Sequence, residues 1–248
     1  MGVTHHGRTL RLDLEDPTLR EWDCTVVWSD PADPEAGIVL DRSAFYPGGG
    51  GQPPDHGVLL WGGVETNVVD TRKGDDLYLI PAPGDPVPPP GTAVRGAVAD
   101  ARRSLLMRTH SGLHVLCGVV FRDFGALVTG GNMEPAEARM DFNLPEVPSD
   151  FKSRLEKLVN AEVEADRRID VRVLPRDEAL ALPDIIRTQT SLIPADESEI
   201  RIVDIVGLDQ QADGGTHVAS TRQIGRVSVV KVESKGKANR RVRVRLSD

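Results

Sequence analysis

Between Pro81 and Gly91 the chain places six prolines and two glycines. Each proline removes a backbone N–H donor and fixes φ at about −65°, so neither a helix nor a central strand can run through this stretch. It predicts a rigid, strand-joining loop close to a domain boundary. On its N-terminal side lie short apolar runs at 26–28, 37–40, 57–61, 64–70 and 76–80. Gly, Pro and Asp clusters separate them, the punctuation of a small β-barrel or sandwich. Leu10–Leu14 alternates in the manner of a first strand.

Beyond Asp100 the texture changes. Ala101–Phe121 reads as a helix, with Asp100 as its N-cap, Gly125 near its stop, and Leu105, Leu106, Leu113, Leu116 and Val120 on the buried side. Gly112 and Gly118 within it each cost about 1 kcal/mol relative to Ala, which signals either close packing or a tolerated weakness. A second helix is expected over 150–166, capped by Ser149 or Asp150, because Phe151, Leu155, Leu158, Val159 and Val163 follow a helical period. Strands at 139–142, 170–174, 200–206, 227–232 and 242–246, with a short helix at 176–182, complete the pattern. The expected fold class is α+β: a small β-barrel domain in residues 1–98, then an α+β domain in 99–248 with helices packed on an antiparallel sheet.

Composition narrows the functions. Aromatics are 4% of the 248 residues, so the cores must be aliphatic. A net charge of −8 excludes wholesale coating of nucleic acid and leaves room for a local basic patch. Cys24 and Cys117 lie far apart, so no disulfide framework is expected and a reducing cytoplasm is the expected compartment. Residues 1–8 lack the apolar run of a signal peptide, and nowhere does an apolar stretch approach the length of a membrane span. Neither a membrane nor DNA is an expected partner, and the oligomeric state is not encoded legibly.

Four stretches could carry chemistry. His110 and His114, four residues apart, would stack on one helix face, the spacing from which a metal ion takes two ligands; the same spacing also occurs in ordinary surface helices. Asp213-Gly214-Gly215-Thr216-His217 holds an oxygen and a nitrogen donor around a glycine turn with positive φ, or else a capped turn and a satisfied histidine. Together the two stretches give three imidazoles and a carboxylate, a plausible zinc shell. The glycines of Phe45-Tyr46-Pro47-Gly48-Gly49-Gly50-Gly51-Gln52-Pro53 bring bare backbone to a ligand or form a floppy loop; neither nucleotide-loop spacing is present. Gln52 carries an amide able to orient a water or contact a ribose. Finally, residues 231–245 hold a basic run, with Lys235, Lys237, Arg240 and Arg241 at its centre, either a phosphate-facing patch or the solvated face of a strand.

In combination and in order, these motifs resemble the editing domain of alanyl-tRNA synthetases and its free-standing relatives, the AlaX trans-editing proteins. The resemblance rests on Phe45-Tyr46-Pro47 to Gln52-Pro53 with Asp55-His56-Gly57, on Arg108-Thr109-His110-Ser111 to His114, on Gly214-Gly215-Thr216-His217-Val218 with Thr221 and Ile224-Gly225, and on Glu233-Ser234-Lys235-Gly236-Lys237 to Arg241. It implies an aminoacyl-tRNA deacylase acting in trans on mischarged Ser-tRNA(Ala), or Gly-tRNA(Ala), at the acceptor end of tRNA(Ala). Such a second hydrolytic site corrects what a synthetase pocket cannot exclude. It further implies one Zn2+ on His110, His114, Asp213 and His217, anchoring substrate or polarising a water. Gln52, Gly50 and Gly51 would lie over the terminal adenosine or the site mouth, with Arg108 and Thr216 orienting ligands. Lys235, Lys237, Arg240 and Arg241 would face tRNA phosphates. One departure stands out: the family's second metal motif usually begins with Cys, and this chain has Asp213 there. A carboxylate hardens the site, weakens zinc and admits other divalent ions; Cys117, one turn further along the helix, is the alternative fourth ligand. The rival readings are a non-catalytic tRNA-binding homologue with a degraded metal site and a metallohydrolase of another small ester or amide.

Overall fold

The structure, a computed structural model, describes residues 5–189, 193 and 197–248. The chain forms two compact units, Met1–Gly49 with Pro53–Ser104, and Gly50–Gln52 with Leu105–Asp248.

The first unit is a closed antiparallel barrel. Its strands run in the order Glu21–Ser29, Ile38–Leu40, Leu77–Pro81, Val64–Lys73, Gly57–Trp61 and Ala93–Val98, the last pairing back onto the first. Alternation fills it: Trp22, Cys24 and Val26 of one strand point inward to meet Ile38, Leu40, Leu59, Val68, Leu79 and Val94. The proline segment joins Leu77–Pro81 to Ala93–Val98, two strands that do not pair with each other in the barrel. Lacking donors, it is tied down through its carbonyls: Ser29 Oγ donates to the Pro88 carbonyl at 2.7 Å and Thr66 Oγ1 to that of Pro86 at 2.6 Å. The expected first strand is shorter than the alternation suggests. Thr9–Arg11 is extended, but Leu12–Glu15 closes into a helical turn around the buried Arg11–Asp13 ion pair.

In the second unit, Val128–Glu134, Glu137–Phe142, Arg240–Ser247 and Arg226–Ser234 form a four-stranded antiparallel sheet, in that order. Ile169–Pro175, Glu199–Ile205 and Asp209–Ala212 form a second, three-stranded sheet. The helix Phe151–Glu164 packs its Phe151, Leu155, Val159 and Val163 face into the core, and a short helix covers Arg176–Leu180. The long helix, Asp100–Phe124, runs three residues past its expected end, and its residues 109–120 are buried on every side. A helix buried all round is a core element, and its glycines make that possible. A Cβ on Gly118 would come within 2.8 Å of the Asp209 Cβ, and one on Gly112 within 3.3 Å of Ile224. Close packing, the first of the two alternatives for these residues, is therefore correct. Two strands escape the apolar pattern: Val128–Glu134 contains Gly130-Gly131, which reads as a break, and Asp209–Ala212 has no alternation to read.

Candidate metal centre

His110 and His114 project from the long helix, and His217 and Asp213 from the stretch that follows the Asp209–Ala212 strand. Their ring centroids lie 5.0 Å (His110–His114), 4.4 Å (His110–His217) and 4.7 Å (His114–His217) apart. One donor atom from each of the four residues falls within 4.8 Å of every other. Asp213 sits at the focus: its carboxylate oxygens lie 2.9, 3.5 and 3.9 Å from Nε2 of His217, His110 and His114. Ligand atoms on a tetrahedral zinc with bonds of about 2.05 Å stand about 3.3 Å apart, so these separations bracket the edge of such a shell. The donor set fits a divalent cation. Cys117, the alternative ligand, lies outside the cluster; it is packed in the aliphatic core, where burial pushes its thiol upward.

The ring orientations are set by neighbours. Gln52 Oε1 accepts the Thr216 N–H at 3.2 Å, which fixes which end of the amide faces inward, and Nε2 then donates to Thr216 Oγ1 at 2.9 Å. The same Oε1 lies 2.8 Å from His110 Nδ1. An amide oxygen only accepts, so His110 carries its proton on Nδ1 and offers a bare Nε2 to the centre. His217 is held at 3.2 Å through Nδ1 by Ser111 Oγ. Asp213 is held by the Gly215 N–H, which donates to Oδ2 at 2.6 Å.

The glycines act differently from expectation. Neither Gly214 nor Gly215 has a positive φ. Gly215 is required because a Cβ there would sit 2.2 Å from the His110 ring. Positive φ belongs instead to the other run, where Gly48, Gly49, Gly50 and Gly51 have φ of 77°, 135°, 58° and 90°. Four consecutive residues in a region that L side chains avoid leave glycine as the one fit. The run brings Gly50 backbone beside Asp213, where a Cβ would be 3.7 Å from Oδ1, and the Gly51 carbonyl accepts the Met133 N–H at 3.1 Å.

Burial sets the electrostatics. It lowers the His110 imidazole well below its ordinary value, against the pull of Asp213, and lowers His217 to about 4. Burial drives the Asp213 carboxyl upward, but the charges and hydrogen bonds of His110, His114 and His217 override it and hold the group well below the usual carboxylate range. Arg201 adds positive potential: its guanidinium donates to the Asp213 main-chain carbonyl at 2.9 Å and stands 4.0 Å from Oδ2. At neutral pH the centre thus offers an ionised carboxylate and uncharged His110 and His217 rings, the protonation state that a cation needs.

Other candidates are placed elsewhere. Gln52 is buried, and both ends of its amide are bound within the protein, where it braces His110 and Thr216. Arg108 points to the C-terminal strand, donating to the Ile224 and Ser247 carbonyls and pairing with Asp248. Arg241 forms a two-pronged pair with Asp141, both contacts at 2.7 Å, and Arg240 donates to the Pro145 carbonyl. Lys235 and Lys237 are exposed at the hairpin tip. Two residues within the motifs have roles that sequence reasoning did not assign. One is Ser111, whose signal was a hydroxyl between two candidate ligands. The other is Asp55, fully buried against Arg103.

Fold and site together define a barrel unit joined to an α+β unit that carries a candidate divalent-cation centre. Residues 200–243, which hold Asp213, His217 and the basic hairpin, match the family described as "Threonyl and Alanyl tRNA synthetase second additional domain". Over 94% of its length the chain is 35% identical to the alanyl-tRNA editing protein AlaX-M of Saccharolobus solfataricus, covering 97% of that protein. It is 33% identical to the AlaX-M of Methanosarcina barkeri over 94% of this chain and 97% of that one. It is also 38% identical, over 79% of its length, to the alanine–tRNA ligase of Pyrobaculum neutrophilum, of which the match spans 22%. The chain belongs to the AlaX-M family of alanyl-tRNA editing proteins. Among the described residues, no helix is long and apolar enough to cross a membrane.

Proposed function

We propose that this chain is a trans-acting aminoacyl-tRNA deacylase that hydrolyses the ester of mischarged Ser-tRNA(Ala), with Gly-tRNA(Ala) as a second substrate, in the cytoplasm. The observation that carries the reading is the assembled donor set of His110, His114, Asp213 and His217, in a chain matching AlaX-M proteins end to end. Those four residues would hold a zinc ion, which supplies Lewis acidity for ester hydrolysis when bound. Gln52 fixes the His110 tautomer, and Thr216 fixes Gln52. The bare backbone of Gly50, beside Asp213, and of Gly51, next to it, would face the acceptor end of tRNA(Ala). Lys235 and Lys237, exposed at the hairpin tip, would meet phosphates, whereas Arg240 and Arg241 hold the hairpin that presents them.

The test is a deacylation panel on Ser-, Gly- and Ala-tRNA(Ala), with and without chelator. The expected outcome is hydrolysis of the seryl ester, slower hydrolysis of the glycyl ester, a spared alanyl ester, and loss of activity with chelator. Rates equal to the uncatalysed ester on all three would overturn the enzyme reading in favour of a tRNA-binding homologue.

A further inference from the structure

Ser111 lies on the long helix between the two histidine ligands of the proposed centre, and it is fully buried. Its hydroxyl makes two contacts, both toward the opposite wall: it accepts the Val218 N–H at 3.1 Å and lies 3.2 Å from His217 Nδ1. The first contact uses one lone pair, leaving the hydroxyl a proton to give and a lone pair to receive with. That combination differs from Gln52, whose carbonyl can only accept from His110. His217 Nε2 lies 2.9 Å from Asp213 Oδ2, so when no cation is bound its proton belongs on Nε2 and Nδ1 needs a donor. When Nε2 is given to a cation, Nδ1 carries the proton and needs an acceptor. A hydroxyl serves both arrangements; no other side chain of that size does.

We propose that Ser111 is a positioning residue of the centre. It holds His217 by Nδ1 through both hydrogen-bonding arrangements, so that Nε2 can be offered to a divalent cation without a hydrogen bond being lost. This rests on the metal reading of the site and adds to it a residue outside the ligand set. The consequence is an asymmetric centre: His110 is preset by Gln52, and His217 is adjustable through Ser111.

The test compares the wild type, Ser111→Ala and Ser111→Thr. Zinc affinity is measured by chelator competition, and thermal melting is measured with and without zinc. Orienting partners of metal ligands typically carry about 10–100-fold in affinity. Ser111→Ala is therefore expected to bind zinc at least tenfold more weakly and to show a smaller zinc-induced rise in melting temperature; Ser111→Thr, which keeps the hydroxyl, is expected to recover most of both. A purely structural role would lower the melting temperature of the metal-free and zinc-loaded forms alike and leave the zinc-induced rise intact, because at a fixed free zinc concentration ligand stabilisation depends on affinity. An unchanged rise, or equal zinc affinity in Ser111→Ala and wild type, overturns the inference while the metal reading stands. A wild type that binds no zinc overturns the metal reading and the inference together.

Discussion

Asp55 of the barrel unit is fully buried and Asp213 of the second unit is largely shielded, with its side chain 13% exposed, and the two carboxylates are treated in opposite ways. In the barrel unit Asp55 and Arg103 are both fully buried, and the guanidinium meets both carboxylate oxygens. Arg103 also donates to the Pro17 and Ala44 carbonyls, and Asp55 accepts the Tyr46 N–H at 2.7 Å. Each guanidinium nitrogen and both carboxylate oxygens are engaged, and the two charges face each other directly. In the second unit Asp213 has imidazoles where Asp55 has a guanidinium fork. Its hydrogen bonds are made to groups that can exchange a proton for a cation. A carboxylate closed by arginine is a staple; one met by the uncharged rings of His110 and His217 keeps capacity for a metal ion.

The sharpest way to break this contrast is to remove the cation of the staple. Arg103→Met strands a buried charge, and losing one partner of such a pair costs about 3–5 kcal/mol. Equilibrium denaturation should show that loss; a change under about 1 kcal/mol would mean Asp55 is satisfied without Arg103. At the other carboxylate the principal effect should be on binding. Asp213→Ala should abolish stoichiometric zinc, read by metal analysis after dialysis, while Asp213→Cys should raise zinc affinity because thiolate is the softer ligand. Full metal retention by the alanine variant would reduce Asp213 to a turn residue that caps Gly215.

The histidine-lined half of this contrast was legible in the sequence, the Asp55–Arg103 half was not, and the reasons are physical. The His110/His114 spacing, the Asp213–His217 turn and the proline-rich connection carry their meaning in sequence, because helix period and missing donors are local properties. The Val128–Glu134 strand was hidden because Gly130-Gly131 lacks side-chain signal, and its extended form comes from pairing with Glu137–Phe142. Gln52 was singled out for a ligand because its bonds to His110 and Thr216 join residues 58 and 164 positions away. Arg241 looked like a phosphate contact because its bond to Asp141 spans 100 positions. Local pattern names the donors, and tertiary pairing decides which of them are already occupied.

Acid should probe the imidazole-lined centre by a third route. Burial lowers His217 from its ordinary 6.5 to about 4, so between those values the unfolded chain binds the proton and the folded chain resists it. Stability is therefore complete above pH 6.5 and falls as pH drops toward 4, by at most about 3 kcal/mol from this group. His110 shifts in the same direction and adds to the slope. Melting curves of the metal-free protein should fall across this window, and His217→Gln should flatten them. A profile that stayed level from pH 7 to 4.5 would show that the centre accepts a proton without strain.

The smallest effects belong to the basic hairpin, where the same distinction between occupied and available groups applies at the surface. Lys235 and Lys237 are exposed at its tip, whereas Arg241 is committed to Asp141 and holds that carboxyl below its usual range. Substituting both lysines with Ala should move folding stability by less than about 0.5 kcal/mol, since neither side chain is buried. Each lysine that faces a phosphate should instead flatten the dependence of log Kd on log salt by about 1. Arg241→Ala should do the reverse, costing stability through the orphaned Asp141 and changing the salt slope little. Salt titrations of tRNA(Ala) binding, run beside denaturation curves, would resolve the two classes. Equal salt slopes for the lysine variant and the wild type would remove the hairpin from the tRNA footprint and leave its charges as the solvated face of a strand.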